Sequence, residues 1–229
     1  MMNKQNLILV FDVETTGLIP KRGLENIELC PYILQLSFIV YDTNKSEIKR
    51  KFNSYVNIND GIDVTPKITE LTGITKETCK MLGKPIEYVL TEFYNEYQSC
   101  DVIVAHNIEF DKEMISIEVI RNYSKMVENG CLYPSLLFNR IYDNVNHKEI
   151  YCTMKNGKKF CDLWTGGSTN ELSTKTNIRR YQKNPKLSEL YYKIFNTIPT
   201  GLHDAQVDTD VCLKCYIHLR TIIIESVQD

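Results

Sequence analysis

An α/β domain built on a mixed sheet is the fold class this sequence predicts. Three observations carry that prediction. Residues 7–11 are unbroken apolar, a buried strand closed downstream by Gly17 and Pro20. Two more strand-like stretches follow, at residues 32–41 and 47–58, joined by a short polar turn that suggests a hairpin. Beyond residue 84, helical and strand patterns alternate, which puts helices on the faces of a sheet.

Taken in order, residues 17–31 read as a loop of mixed charge. Residues 61–73 contain Pro66 and read as a loop with one short helix. Residues 84–100 give the clearest helix, because Ile86, Val89, Leu90, Phe93, Tyr94 and Tyr97 fall on one face. Residues 101–105 form a fourth short strand, 110–128 return to helical spacing, and 151–154 read as a fifth strand. Residues 187–195 and 205–224 read as helices. Repeats, low-complexity tracts and linkers are absent, so residues 1–229 are expected to be a single domain.

Composition bounds the function. The chain has 229 residues, 43% hydrophobic and 24% charged, which is ordinary for a globular protein able to bury a large core. The net charge of −2 offers no global attraction to a polyanion, so any nucleic-acid contact needs local basic residues or bound metal. No stretch reaches the roughly twenty apolar residues of a membrane span, and no signal sequence is visible. The eight cysteines are irregularly spaced among apolar residues. The expectation is therefore an intracellular, reducing compartment (cytoplasm or nucleus) with no membrane contact. Cys212 and Cys215 form a C-x-x-C, but inside an apparent helix and without a second pair they read as core residues.

The chemistry concentrates in three motifs. Asp12 and Glu14 follow the first strand and, two residues apart, would project from one face. Two like charges side by side repel, and each is costly to desolvate; a divalent cation resolves both problems, and oxygen ligands suit Mg²⁺ or Mn²⁺. The alternative is a pair of solvated loop acids. Asp111 sits where the helix after the fourth strand begins, either as a first-turn charge or as a third ligand at a strand end. His203 and Asp208 are too far apart in angle to share one helical face, about 140°. His203 therefore belongs to the loop ahead of the last helix, with Asp208 inside it. Asp204 reads as the cap of that helix and Asp210 as a solvated neighbour. Residues 173–186 hold five basic residues and no acid, a local positive patch or a solvated loop.

Together, D-x-E-T-T-G at the end of a first strand, N-x-x-F-D after a fourth and H-x-x-x-x-D opening a last helix resemble the DEDDh family of 3′→5′ exonucleases. Residues 33–37, 71–74 and 152–154 are similar to smaller family stretches: the second strand, the loop after the third, and the strand following the second motif. The resemblance spans nearly the whole chain. It implies a ribonuclease H-like fold with a mixed five-stranded sheet flanked by helices. It also implies a two-metal hydrolysis of phosphodiesters at the 3′ end of single-stranded or frayed nucleic acid, DNA favoured over RNA, releasing nucleoside monophosphates. Asp12, Glu14, Asp111 and Asp208 would hold two Mg²⁺ or Mn²⁺ ions. His203, with a reference pKa near 6.5, would take a proton from the attacking water. Glu14, Thr15, Thr16, Leu18, Asn107, Phe110 and His203 would contact the terminal nucleotide. A polymerase is a possible partner, in proofreading or repair. Residues 139–147 and 164–186 stand as insertions relative to compact members. A non-cleaving, nucleic-acid-binding module of the same fold is the alternative.

Overall fold

The structure is a computed structural model that describes residues 7–21, 25–165 and 180–228, side chains 223–228 excepted. Three strands open the chain: β1 (Leu7–Thr15), β2 (Ile33–Asp42) and β3 (Glu47–Tyr55). Two short helices follow, α1 (Pro66–Thr72) and α2 (Lys76–Leu82). The sequence reading expects only one helix here. Each has its own threonine cap, Thr65 accepting from the Ile68 N–H and Thr75 from the Thr78 N–H, and Gly73 between them takes φ 73°. A left-handed glycine ends one helix and lets the next begin at once.

Next come α3 (Ile86–Ser99), β4 (Val102–Ala105), α4 (Ile108–Glu128), α5 (Arg140–Val145), β5 (Glu149–Cys152) and α6 (Thr153–Cys161). The fifth strand thus ends at Cys152, and Thr153 and Met154 open a helix, correcting the strand expected through residue 154. Two-residue strands β6 (Trp164–Thr165) and β7 (Tyr181–Gln182) pair antiparallel. The chain ends with α7 (Leu187–Phe195) and α8 (Ala205–Gln228).

The main sheet has five strands in the order β3-β2-β1-β4-β5. β1 pairs antiparallel with β2 and parallel with β4, so the sheet is mixed with its apolar first strand at the centre. Alternation along β1 splits the core. Leu9, Phe11 and Val13 pack with α3 residues Val89, Leu90, Phe93 and Tyr97. Ile8 and Val10 pack on the other face with Leu190 of α7 and Val211, Cys212 and Cys215 of α8. All eight cysteines are buried. Burial pushes the Cys215 thiol up to about 12 and Cys212 well above its ordinary range, so neither is poised for metal or redox chemistry as a thiolate. Among the described residues no helix is long and apolar enough to cross a membrane.

Candidate active site

The two-residue period of β1 aims the first pair of acids. Asp12 and Glu14 continue the Ile8–Val10 face, the side on which α8 packs. β4 runs parallel to β1 and therefore delivers its following turn to the same sheet edge. There Asn107 takes φ 69°, a left-handed conformation that asparagine tolerates better than most residues. The chain turns at once into α4, and Asp111 in its first turn accepts the Val13 N–H at 3.4 Å.

The start of α8 is pinned from the opposite side. Asp204 caps it, its Oδ1 accepting from the Gln206 N–H at 2.9 Å and the Val207 N–H at 3.3 Å. Gln35, fully buried on β2, accepts the Ala205 N–H at 3.2 Å and donates to Asp204 Oδ2 at 3.4 Å. Asp208 lies one turn further, and the N–H of His203, in the preceding loop at φ 69°, donates to Asp208 Oδ2 at 3.3 Å. The histidine thus sits in the loop and the aspartate in the helix, as their spacing predicts. Asp210 is not merely solvated, because Lys51 pairs with it at 2.5 Å.

Charge has accumulated here without compensation. Desolvation, followed by the charges of Asp111, Asp208 and Glu14, holds the Asp12 carboxyl well above its ordinary range. Desolvation, with Asp208 and Asp111 adding to it, pushes Glu14 up to about 8. Burial likewise raises Asp111, opposed by the N–H bonds it accepts from Val13 and from its own backbone. Asp208 is raised by burial, opposed by the His203 N–H. The Asp208 Oδ1 atom is buried and has no hydrogen-bond partner. One ligand atom each from Glu14, His203 and Asp208 lies within 4.8 Å of the others. Four carboxyls resisting ionisation, an orphaned carboxylate oxygen and convergent hard donors suit a divalent cation.

These groups line a cleft of about 730 Å³. Asp12, Glu14, Asp111, His203 and Asp208 are all on its wall, with Leu18, Asn107 and Phe110 from the expected substrate contacts. Leu18 is 85% exposed, a large apolar side chain offered at the mouth. Thr15 and Thr16 differ. Thr15 is buried with its hydroxyl donating to the Gly17 carbonyl at 2.7 Å. The Thr16 N–H is spent on the Tyr32 carbonyl at 2.9 Å, and Thr16 faces a neighbouring groove instead. Its amide is therefore not available to a nucleotide, because a strand-edge bond already uses it.

The cleft also includes Leu71, His106, Met154, Lys186 and Leu202; sequence reasoning gave His106 and Leu202 no role, and placed Lys186 only in the basic stretch 173–186. Leu71 stands in the stretch read as a loop with one short helix; it lies on that helix and is half-exposed, which the sequence alone does not signal. Of the basic stretch 173–186, residues 173–179, with Lys175 and Arg179, lie outside the described residues.

The fold brings these acids and the loop histidine to one sheet edge, and comparison with known proteins gives the class: an exonuclease domain. The RNase T exonuclease family model matches residues 9–216, and the chain belongs to that family. It is 31% identical over 118 residues to the 3′-5′ exonuclease DinG of Bacillus subtilis, covering 52% of this chain and 11% of that protein. It is 34% identical over 114 residues to the PolC-type DNA polymerase III of Streptococcus sanguinis, covering 50% of this chain and 7% of that one. The match thus spans only a small part of these curated relatives. Among solved structures, E. coli exonuclease I in complex with a dT13 oligonucleotide superposes with a TM-score of 0.65 at 15% identity, covering 97% of this chain and 43% of that one. A zinc-bound form of the same enzyme with single-stranded DNA gives 0.64 at 16% identity, covering 94% and 40%. This likeness shows the fold alone: the five-stranded mixed sheet with its flanking helices is shared with those structures.

Proposed function

We propose that the chain is a metal-dependent 3′→5′ exonuclease that removes nucleoside monophosphates from single-stranded or frayed ends, with DNA favoured over RNA. The convergence of Glu14, His203 and Asp208 donor atoms within 4.8 Å, on a cleft shared with Asp12 and Asp111, carries this reading. The reading takes residues 1–229 as one catalytic unit, supported by a family match over 9–216 and by one central sheet. The names of the relatives support a role beside a polymerase or in repair.

The chain's own groups divide the work. Asp12, Glu14, Asp111 and Asp208 would hold two Mg²⁺ or Mn²⁺ ions, with Asp12 central because all three other acids bear on its ionisation. When bound, such ions polarise the phosphodiester and make water a better nucleophile near neutral pH. His203 is exposed on a short loop at the cleft, so it can approach the attacking water and take its proton without dragging a helix with it. Leu18 and Phe110 present apolar surface to the terminal base, and contacts of that kind read sequence poorly. Asn107 supports the same pocket.

A 3′-labelled oligonucleotide incubated with Mn²⁺ tests the proposal. Labelled mononucleotide should appear first. An internal cut would indicate an endonuclease on this fold, and binding without product would indicate a non-cleaving module; either refutes the proposal.

A further inference from the structure

The cleft has an electrostatic problem that metal alone does not remove. Four acids face a substrate whose every phosphate is negative, and even two divalent ions only balance the acids formally. Beyond the metal ligands and His203, the charged or titratable side chains on the wall are His106 and Lys186.

His106 is not the missing cation. Burial pushes its imidazole down to about 4, and both ring nitrogens are engaged. Nε2 lies 3.1 Å from the Pro185 carbonyl, which can only accept, so Nε2 carries the proton. Nδ1, 3.0 Å from Thr153 Oγ1, then accepts the threonine hydroxyl. The ring thereby ties three places together: the end of β4, the first residue of α6 and the segment just ahead of α7. A second contact fixes α7 from behind. Gly157 of α6 lies so close to Leu190 that a Cβ there would sit 2.7 Å from its Cδ1. The wall carrying Lys186 is therefore braced on two sides.

Lys186 itself is exposed and forms no ion pair among the described residues. Its nearest candidate partner is already occupied. Glu189 accepts from Lys183 Nζ at 2.5 Å and from the backbone N–H of Lys186 at 2.8 Å. Lys186 lines the acid-lined cleft, one residue from a clamped carbonyl, and its charge reaches Glu189 only at a distance, without an ion pair among the described residues.

We propose that Lys186 binds a non-bridging phosphate oxygen of the substrate strand, and that His106 is the positioning residue that holds it there through the Pro185 carbonyl. The inference rests on the exonuclease reading and names its phosphate contact. An ammonium suits this task as a point charge, indifferent to base and sugar. It favours a phosphodiester chain over a neutral ligand and is compatible with either DNA or RNA.

The test uses the full chain, a 3′-labelled single-stranded oligonucleotide and Mn²⁺. Cleavage by the wild-type chain must be seen first; its absence defeats the exonuclease reading rather than this one. Given cleavage, Lys186→Gln should raise KM about tenfold with little change in kcat, as expected for a lost charge-assisted contact made equally in ground and transition states. The slope of log KM against log salt should fall by about 0.7, one phosphate's worth for a single strand. Lys186→Arg should recover most of the affinity. His106→Ala, judged only if it still melts cooperatively, should raise KM as Lys186→Gln does, and the double variant should add little to either. If His106→Ala fails to fold cooperatively, His106→Phe, which fills the same space but cannot donate to the Pro185 carbonyl, takes its place in the cycle. An unchanged KM and salt slope in Lys186→Gln would overturn the phosphate contact. Full additivity of the two substitutions would overturn the positioning role.

Discussion

Two groups of buried acids in this molecule are treated in opposite ways. On α4, Glu118 is 3% exposed and burial raises its carboxyl, but local partners oppose that shift. Arg121 pairs with it at 3.0 Å, Asn122 donates at 3.1 Å and the Ile33 N–H at 3.3 Å. Arg121 also donates to the carbonyls of Ile27, Cys30 and Pro31 and lies 4.0 Å above the Tyr32 ring. That acid is a structural fastener between a helix and the loop leading into β2. At the sheet edge, Asp12, Glu14, Asp111 and Asp208 form no lysine or arginine ion pair among the described residues, only His203 opposes the shift at Asp208, and one oxygen of Asp208 is bonded to nothing. A fold that surrounds one buried carboxylate with partners leaves four others exposed to one another. The difference supports the proposal that the second group takes up a cation from solution.

The sharpest break between the groups should be catalytic. Asp12→Asn is expected to lower kcat by about a thousandfold or more, since it removes the acid central to the proposed metal pair. It should also raise the melting temperature of the metal-free chain by relieving repulsion. Steady-state cleavage and calorimetry on one preparation check both. His203→Ala should cost about a hundredfold or more in kcat with an unaltered melting temperature, because the side chain is exposed and its backbone N–H still reaches Asp208.

Arg121→Ala should behave in reverse. Stripping a buried acid of its partner is expected to destabilise the chain by about 3 kcal/mol, read from urea unfolding, while kcat of the folded fraction stays near wild type. The smallest effect should be in pH dependence. Glu14 keeps its proton in the folded chain to about 8, whereas unfolded it would release it near 4.5. The folded state therefore binds more protons in that window, and metal-free stability should fall as pH rises through it. Mg²⁺ should raise the melting temperature more at pH 8 than at pH 6, because bound metal favours the ionised site. A metal-free stability that rises across this window would contradict the assignment.

Much of this was legible in the sequence, for physical reasons. The central strand announced itself by an unbroken apolar run, and the period of two then aimed Asp12 and Glu14 together. The angle between His203 and Asp208 on a helix separates loop from helix on spacing alone. Residues 187–195 proved helical over their full length. What stayed hidden depends on tertiary context. Cys152, Thr153 and Met154 are equally apolar in a strand or a helix start, and only pairing with β4 ends the strand at Cys152. The second short helix after β3 is set by a left-handed glycine and a threonine cap, weak signals in isolation. The resemblance implies that Thr16 contacts the terminal nucleotide; that its N–H is spent on the Tyr32 carbonyl depends on a strand neighbour that spacing cannot reveal. The roles of His106 and Gln35 are invisible in sequence because their partners lie far along the chain.

Calorimetric titration of Mn²⁺ into the metal-free chain and its Asp12→Asn variant tests the central claim most directly. The account predicts uptake of two ions by the wild-type chain and loss of at least one in the variant. Equal uptake by both chains, or none by the wild type at millimolar metal, would contradict it.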